Sequence, residues 1–324
     1  MINLMNNKYA NEIKRKLDKV IQENIISNAY IFYGPEYVGK KETALRFIAE
    51  IIRTNNSDLN AYSKIKDNNY PDYLNIEPTY ISKGNLINQS EIDKEKNQTT
   101  KPLIRIEQIR NIKVFLGKKS IQSTKKFILI ENADLLNESA SNCLLKTLEE
   151  PTNGVFILLT SRLNLLLDTI ISRCQTVRFK PSSYQELKQI LEQSKHDTTD
   201  LLSDSEILEN LIFISNGSPG KLVKNLEIWH QIPENIKHDI KYPLKNYESI
   251  LFLAKHISSQ LDLNHQELLL NYMQRDWWKK TKNKRFTEIL EGIKNNISSN
   301  IQPRICWEVG LLKVKLTDWS LGIY

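Results

Sequence analysis

The apolar run Ala29-Tyr30-Ile31-Phe32-Tyr33 stops at Gly34-Pro35, and a helical pattern begins directly after Gly39. A short apolar run closed by Gly-Pro reads as a strand entering a turn. Over residues 40–52, Ala44, Leu45, Phe47, Ile48, Ile51 and Ile52 recur at three- and four-residue steps, the stripe of a helix that faces a sheet. A strand, a glycine-bounded loop and a helix open an α/β unit. The loop Gly34-Pro35-Glu36-Tyr37-Val38-Gly39-Lys40-Lys41 meets seven of the eight places of G-x-x-x-x-G-K-[ST]. In that pattern backbone N–H groups curl around phosphates, the lysine neutralises them, and the helix N-terminus adds its dipole. The eighth place calls for a hydroxyl on Mg²⁺; here it is Lys41, whose ammonium has no lone pair for a metal. Two readings of Gly34, Gly39 and Lys40 stay open. One is a degenerate nucleotide loop with weak or structural ATP or ADP binding, and the other is a turn whose glycines serve only the backbone.

The rest of the first half alternates in kind. Residues 8–27 are polar with Ile13, Leu17, Ile21 and Ile25 at helical intervals, a surface helix. Strands are expected at 73–76, 127–130, 155–160 and 175–179, and helices at 104–116 and 135–148, the latter closed by Pro151. Strands alternating with helices predict a parallel sheet covered on both faces. Residues 81–101 mix Asn, Gln, Ser, Thr and charges with no aromatic residue, and are expected to form a loop without a core of its own. After Lys180-Pro181 the pattern turns helical, with segments at 184–193, 205–215 and 219–229 and loops at 194–204 and 216–218. From about residue 232 every readable segment is a helix, clearest at 251–256, 266–273 and 305–316. The expected division is an α/β domain over 1–180, a small helical domain over 181–230 and an all-α domain over 231–324.

The strand expected at Phe127-Ile128-Leu129-Ile130 leads into Glu131-Asn132-Ala133-Asp134. In phosphate-loop ATPases an acidic residue after such a strand holds Mg²⁺, and the next polarises the attacking water. Glu131 takes the metal position, one methylene longer than aspartate. Asn132 takes the base position, and a carboxamide cannot accept the proton. Both changes point toward lost hydrolysis; the alternative is a solvated acidic turn.

Leu144-Leu145-Lys146-Thr147-Leu148-Glu149-Glu150-Pro151, followed by Ser172-Arg173-Cys174, resembles the bacterial clamp-loader family of AAA+ proteins. Asn28 to Phe32, Pro71-Asp72 and the stretch from Ile104 to Arg110 are similar as well, so the likeness covers roughly residues 1–230. The resemblance implies a phosphate-loop AAA+ domain with a parallel sheet, a helical lid domain and a helical collar domain that joins a hetero-oligomer. It implies that Arg173, supported by Ser172, reaches across a subunit boundary to the γ-phosphate of a neighbour. A guanidinium suits that task because it stays charged and presents a planar fork of donors. Lys40, Gly34, Gly39 and Glu131 would be remnants of this chain's own nucleotide site. The implied role is an accessory, stator-like subunit of the DNA polymerase III clamp loader, without ATPase or polymerase activity of its own. Its implied partners are motor ATPase subunits, a clamp-opening delta subunit and, through the assembly, the sliding clamp and primer-template DNA in the cytoplasm. An ATP-hydrolysing motor-type subunit and a phosphate-loop kinase are the alternatives, and Lys41 opposes both.

In many relatives a four-cysteine zinc module follows the first helix of the domain. Here residues 53–70 hold no cysteine, and Cys143, Cys174 and Cys306 lie too far apart for a zinc or disulfide pattern, so no zinc or other metal is expected. Gly217-Ser218-Pro219-Gly220-Lys221 resembles a nucleotide-sensing turn whose arginine is replaced by Gly220 or, with a one-residue shift, by Lys221. The run from Arg275 to Arg285 holds six basic residues, one acid and two tryptophans. It could grip phosphates and stack bases; the favoured reading is a solvated helix end whose tryptophans turn inward. The 324 residues suit two or three domains, and the net charge of +7 suits acidic partners without proving one. No stretch approaches 18 consecutive apolar residues and the opening residues show no secretory leader, so no membrane partner is expected.

Overall fold

The apolar runs of the first half pair side by side into one parallel sheet. Its strands are β1 (Ala29–Tyr33), β2 (Tyr73–Ile76), β5 (Lys126–Ile130), β6 (Gly154–Thr160) and β7 (Gln175–Arg178). They stand in the order β2-β5-β6-β1-β7. This computed structural model describes residues 8–56, 58–82, 85–91, 101–150, 153–193, 205–241 and 246–320. Successive residues of a strand point to opposite faces, and here both faces are covered. Tyr30, Phe32, Phe127, Leu129, Ile157 and Leu159 pack on one side with α1 (Lys8–Gln22), α2 (Lys40–Asn56) and α3 (Ala61–Lys66). Ile31, Ile128, Ile130, Phe156 and Leu158 pack on the other with α4 (Ile106–Gly117), α5 (Glu138–Glu149) and the short α6 (Asp168–Ile171). The inner strands β1 and β6 and most of β5 are therefore apolar with no alternation, whereas the edge strand β7, Gln175-Thr176-Val177-Arg178, is largely exposed.

Two buried charges tie loops to this sheet. The Asp72 carboxylate accepts backbone N–H bonds from Ile121, Gln122 and Ser123 at 2.7–3.1 Å, closing the loop between α4 and β5 onto the start of β2. The Lys126 ammonium, buried at the start of β5, donates to the Phe115 and Lys118 carbonyls at the end of α4. A cation there satisfies carbonyls that have no partner in the helix and meets the negative end of its dipole.

The loop expected over 81–101 is partly structured. β3 (Thr79–Ser82) and β4 (Asn85–Asn88) form an antiparallel pair in which Tyr80 faces Ile87 and Ile81 faces Leu86, and Gln89–Glu91 adds a 3₁₀ turn. Composition measures what a segment can bury, whereas a hairpin is held by backbone pairing and needs little burial; Ile81 and Leu86 stay exposed. The rest of that expectation, at 83–84 and 92–100, lies outside the described residues, as do Pro151 and the loop at 194–204. The first helix is shorter than its pattern: it ends at Gln22, and Asn24 turns left-handed with φ 53°.

The chain divides into two compact units, Met1–Ser182 and Ser183–Tyr324. The described residues of the second are helical: α7 (Tyr184–Gln193), α8 (Ser205–Ile214), α9 (Pro219–Gln231), α10 (Glu234–Asp239), α11 (Tyr247–Gln260), α12 (Leu263–Thr281), α13 (Lys284–Ser298) and α14 (Pro303–Ser320). One apolar cluster runs through it from Leu187 to Val314 and includes Trp229, Trp277 and Trp307. Trp277 Nε1 donates to the Ile240 carbonyl at 3.0 Å and Trp307 Nε1 to Gln266 Oε1 at 2.9 Å, so these two indoles enter the core with their donors met, whereas the buried Trp229 Nε1 has no hydrogen-bond partner.

Asp72 makes a direct test of the first unit. Burial alone pushes its carboxyl up, but the three backbone N–H groups and the Ser123 hydroxyl outweigh that and hold it below the usual carboxylate range. A depressed folded value means the stabilisation is complete above the unfolded pKa of about 4 and is lost as pH falls through the folded value. Asp72→Ala is expected to lower the unfolding free energy by about 3 kcal/mol in urea titration at neutral pH, because several backbone donors lose a charged acceptor. The difference from wild type should shrink below about pH 4.

Candidate functional site

At the end of β1 the chain turns through Gly34, whose φ of +148° lies outside the range of other L-residues. A Cβ there would stand 2.2 Å from the Phe179 carbonyl oxygen, so only glycine fits beside the segment that leaves β7. Gly34 N–H donates to the Thr160 carbonyl at 3.3 Å, which ties the loop to the end of β6. Gly39, at φ +98°, delivers the chain into α2, and Thr43 closes the first turn with backbone and hydroxyl bonds to the Gly39 carbonyl. Both glycines therefore shape the turn that leads from β1 into α2.

The loop's two lysines are both engaged within the chain. Lys40 Nζ turns back and donates to the Gly34 and Pro35 carbonyls at 2.5 and 2.6 Å. Burial lowers its pKa to about 8, against the upward pull of the Glu36 and Asp134 charges. Lys41 Nζ lies 2.6 Å from Glu131 Oε1, at the end of β5. Asn75 Nδ2, from β2, donates to the same oxygen at 2.8 Å. The residue at the eighth place of the motif thus bonds the acidic residue that follows β5. An ammonium on that oxygen supplies positive charge but has no lone pair for a metal. Asn132 follows with a left-handed backbone, φ 48°.

Sequence reading missed Asp134 and Thr160. Thr160 Oγ1, at the end of β6, donates to Asp134 Oδ1 at 2.8 Å, and the Arg162 guanidinium holds Asp134 Oδ2 at 2.7–2.9 Å. The Asp134 side chain is almost fully buried. The signal was present: a threonine closes the otherwise apolar run of β6, and an acid follows Glu131 by three residues.

Arg173 stands elsewhere. Strand register pairs Tyr30 with Gln175 and Tyr33 with Arg178, so Arg173, just before β7, lies where the parallel strands begin. Gly34, Lys40, Glu131 and Thr160 lie where strands end. Four residues of extended chain, at roughly 3.3 Å each, separate the two edges by about 13 Å of sheet. Arg173 lines a cleft of about 300 Å³ with Ser27, Asn28, Ala29, Leu148 and Glu150. Its guanidinium donates to the Thr169 carbonyl at 2.9 Å and to Glu149 Oε1 at 2.7 Å, and both side chains are well exposed. Ser172 Oγ donates to the same Thr169 carbonyl at 3.1 Å, finishing α6. Burial pushes the Cys174 thiol up to about 12, so it stays a neutral packing group. Gly220 and Lys221 fall in the first turn of α9, in the second unit. Among the described residues no group of three or more His, Cys, Asp or Glu side chains is placed to hold a metal, and no helix is long and apolar enough to cross a membrane.

Comparison with known proteins agrees with these features. The family described as DNA polymerase III, delta subunit, matches residues 9–183, more than half of the chain. The family described as cyanobacterial DNA polymerase III delta prime, C-terminal domain, matches residues 185–314. A DNA polymerase III subunit delta' from Bacillus subtilis is 28% identical over 242 residues, 69% of this chain and 67% of that protein. One from Pseudomonas aeruginosa is 29% identical over 201 residues, 60% of this chain and 54% of that protein, so the match spans about half of that relative's length. A DNA polymerase III gamma subunit-related protein from Thermotoga maritima shares the fold, with a TM-score of 0.50 at 18% identity over 92% of this chain and 97% of that one. A parallel sheet covered by helices, with a helical second unit matched by its own family, is the AAA+ fold expected from the motifs. The chain belongs to the DNA polymerase III delta subunit family.

Proposed function

We propose that this chain is an accessory subunit of a DNA polymerase III clamp loader that lends Arg173 to the nucleotide site of a neighbouring ATPase subunit. The observation that carries the reading is the separation of Arg173 from the chain's own phosphate loop. An arginine at the start of the strands is about 13 Å of sheet from the loop at their ends, too far to serve a phosphate held there. In the free chain Glu149 holds it, but an exposed ion pair contributes only about 0–1 kcal/mol, so a neighbour's triphosphate can displace that partner. Ser172 positions the finger by closing the turn before it.

The chain's own loop is proposed to be inert in hydrolysis. Lys41 occupies the carboxylate that Mg²⁺ would use, and Asn132 offers no base. Lys40 and the loop amides keep the chemistry for weak, metal-independent ATP or ADP binding, and the reading requires neither zinc nor another cofactor. Within it, residues 181–230 are a lid and 231–324 a collar that joins the motor subunits and the delta subunit. The sliding clamp and primer-template DNA are reached through that assembly, in the cytoplasm. A motor-type ATPase is the weaker reading because it needs a free Glu131 and a base at position 132.

Three outcomes are expected. In a reconstituted clamp loader, Arg173→Ala should cut clamp- and primer-stimulated ATP turnover by at least about tenfold, given that arginine fingers contribute about 10³–10⁵. Gel filtration should show the assembly intact; unchanged turnover would reduce the chain to a scaffold. Calorimetry of the isolated chain should find no gain in ATP or ADP affinity from Mg²⁺, whereas the double variant Lys41→Thr/Asn132→Glu should acquire a Mg²⁺-dependent component. Turnover by the wild-type chain alone would refute the inert-loop reading. Acylation of Lys40, followed by mass spectrometry across pH, should reach half its maximum near pH 8, because burial lowers that amine to about 8. Exposed lysines should follow at roughly pH 10.4.

A further inference from the structure

The second unit carries a groove of about 590 Å³ walled by α8, the first turn of α9, α12 and α13. Four cationic side chains line it, Lys221, Arg275, Lys284 and Lys294, against one carboxylate, Glu267. Lys294 is engaged with Glu267 at 3.3 Å, and Lys284 faces the exposed Glu288 at 3.4 Å. Among the described residues neither Lys221 nor Arg275 has a carboxylate within ion-pair distance. The single acid of the basic run, Asp276, is turned into the interior, where Asn210 and Lys280 bond it, so it does not offset the charge of the groove.

Two aromatic rings accompany those cations. Neighbouring residues on a helix point about 100° apart, and the tryptophan pair divides accordingly. Trp277 is buried in the core, while Trp278 lines the groove with 39% of its surface exposed. This corrects the expectation that both tryptophans turn inward. The Lys282 ammonium lies 6.0 Å from the centre of the Trp278 ring. Across the groove, the Arg275 guanidinium lies 3.5 Å over the half-exposed ring of Phe213, and its buried Nε has no hydrogen-bond partner. An arginine held flat on a ring loses little freedom when it receives a phosphate.

From this arrangement we infer that the groove binds a single-stranded nucleic acid, with a base stacked on Trp278 and the flanking phosphates on Lys221, Arg275 and Lys284. An acidic peptide would meet the same cations but has no planar face for the indole. A duplex keeps its base faces inside the stack, whereas a single strand offers them. The site lies wholly within the second unit and does not depend on Arg173 or on the phosphate loop, so it stands or falls separately from the proposal for those residues.

The test is fluorescence anisotropy of the full-length chain with a labelled oligothymidylate of about twelve nucleotides, a length within the range of one stacking groove. Trp278→Ala should weaken binding by about tenfold or more, and Trp278→Phe, which keeps a stacking face, by less than about threefold. Three phosphate contacts predict a slope of log K against log salt of about −2, and Lys221→Ala should make it shallower by about 0.7. Both side chains are at least partly exposed, and circular dichroism checks that each variant stays folded. Three results would overturn the inference: equal affinity for polyglutamate, equal affinity for a duplex of the same length, or an unchanged affinity in Trp278→Ala.

Discussion

Burial of the five-stranded sheet on both faces decides where chemistry can occur in the first unit. With helices against both faces, the polar side chains of loops gather where strands end and where they begin. The parallel direction of the strands gives these two edges different contents. Gly34, Lys40, Lys41, Glu131, Asp134 and Thr160 collect at the ends of β1, β5 and β6, although more than a hundred residues of chain separate the first from the last. Ser172 and Arg173 fall at the opposite edge through the register of β7 on β1. The proposed division of labour, an inert loop and an arginine for a neighbour, follows from that geometry.

The contact between Lys41 and Glu131 is the physical basis of the proposal that the loop is inert. The Lys41 ammonium compensates the charge of Glu131, which is mostly covered and has Asn75 as its second partner. Lys40 behaves similarly, turning toward the loop carbonyls in a position where burial works against its charge. The cations of the loop thus engage groups of this chain, its own carbonyls and Glu131.

The second unit uses one helix for two purposes. Along α12, Leu269, Met273, Asp276 and Trp277 face inward, and Gln274, Arg275 and Trp278 face the groove. The interior positions hold the bundle, and the exterior positions carry charge and an aromatic face. A run that looks uniformly basic in one dimension is sorted by the helical turn into a neutralised interior side and a cationic exterior side.

Much of this was legible in the chain itself. The apolar runs at 29–33, 127–130 and 155–160, alternating with helical patterns, announced a doubly covered parallel sheet because strands buried on both faces read as continuous apolar runs. The glycine spacing at 34 and 39 announced the turn between β1 and α2, where both glycines take positive φ. The hairpin of β3 and β4 was hidden because backbone pairing leaves little trace in composition. Asp134 and Thr160 were hidden because their significance depends on β5 and β6 lying side by side. The Lys41–Glu131 contact, the placement of Arg173 at the far edge and the opposite fates of Trp277 and Trp278 were decided by tertiary structure. Each depends on a distance or direction between elements, which residue identity does not encode without the fold.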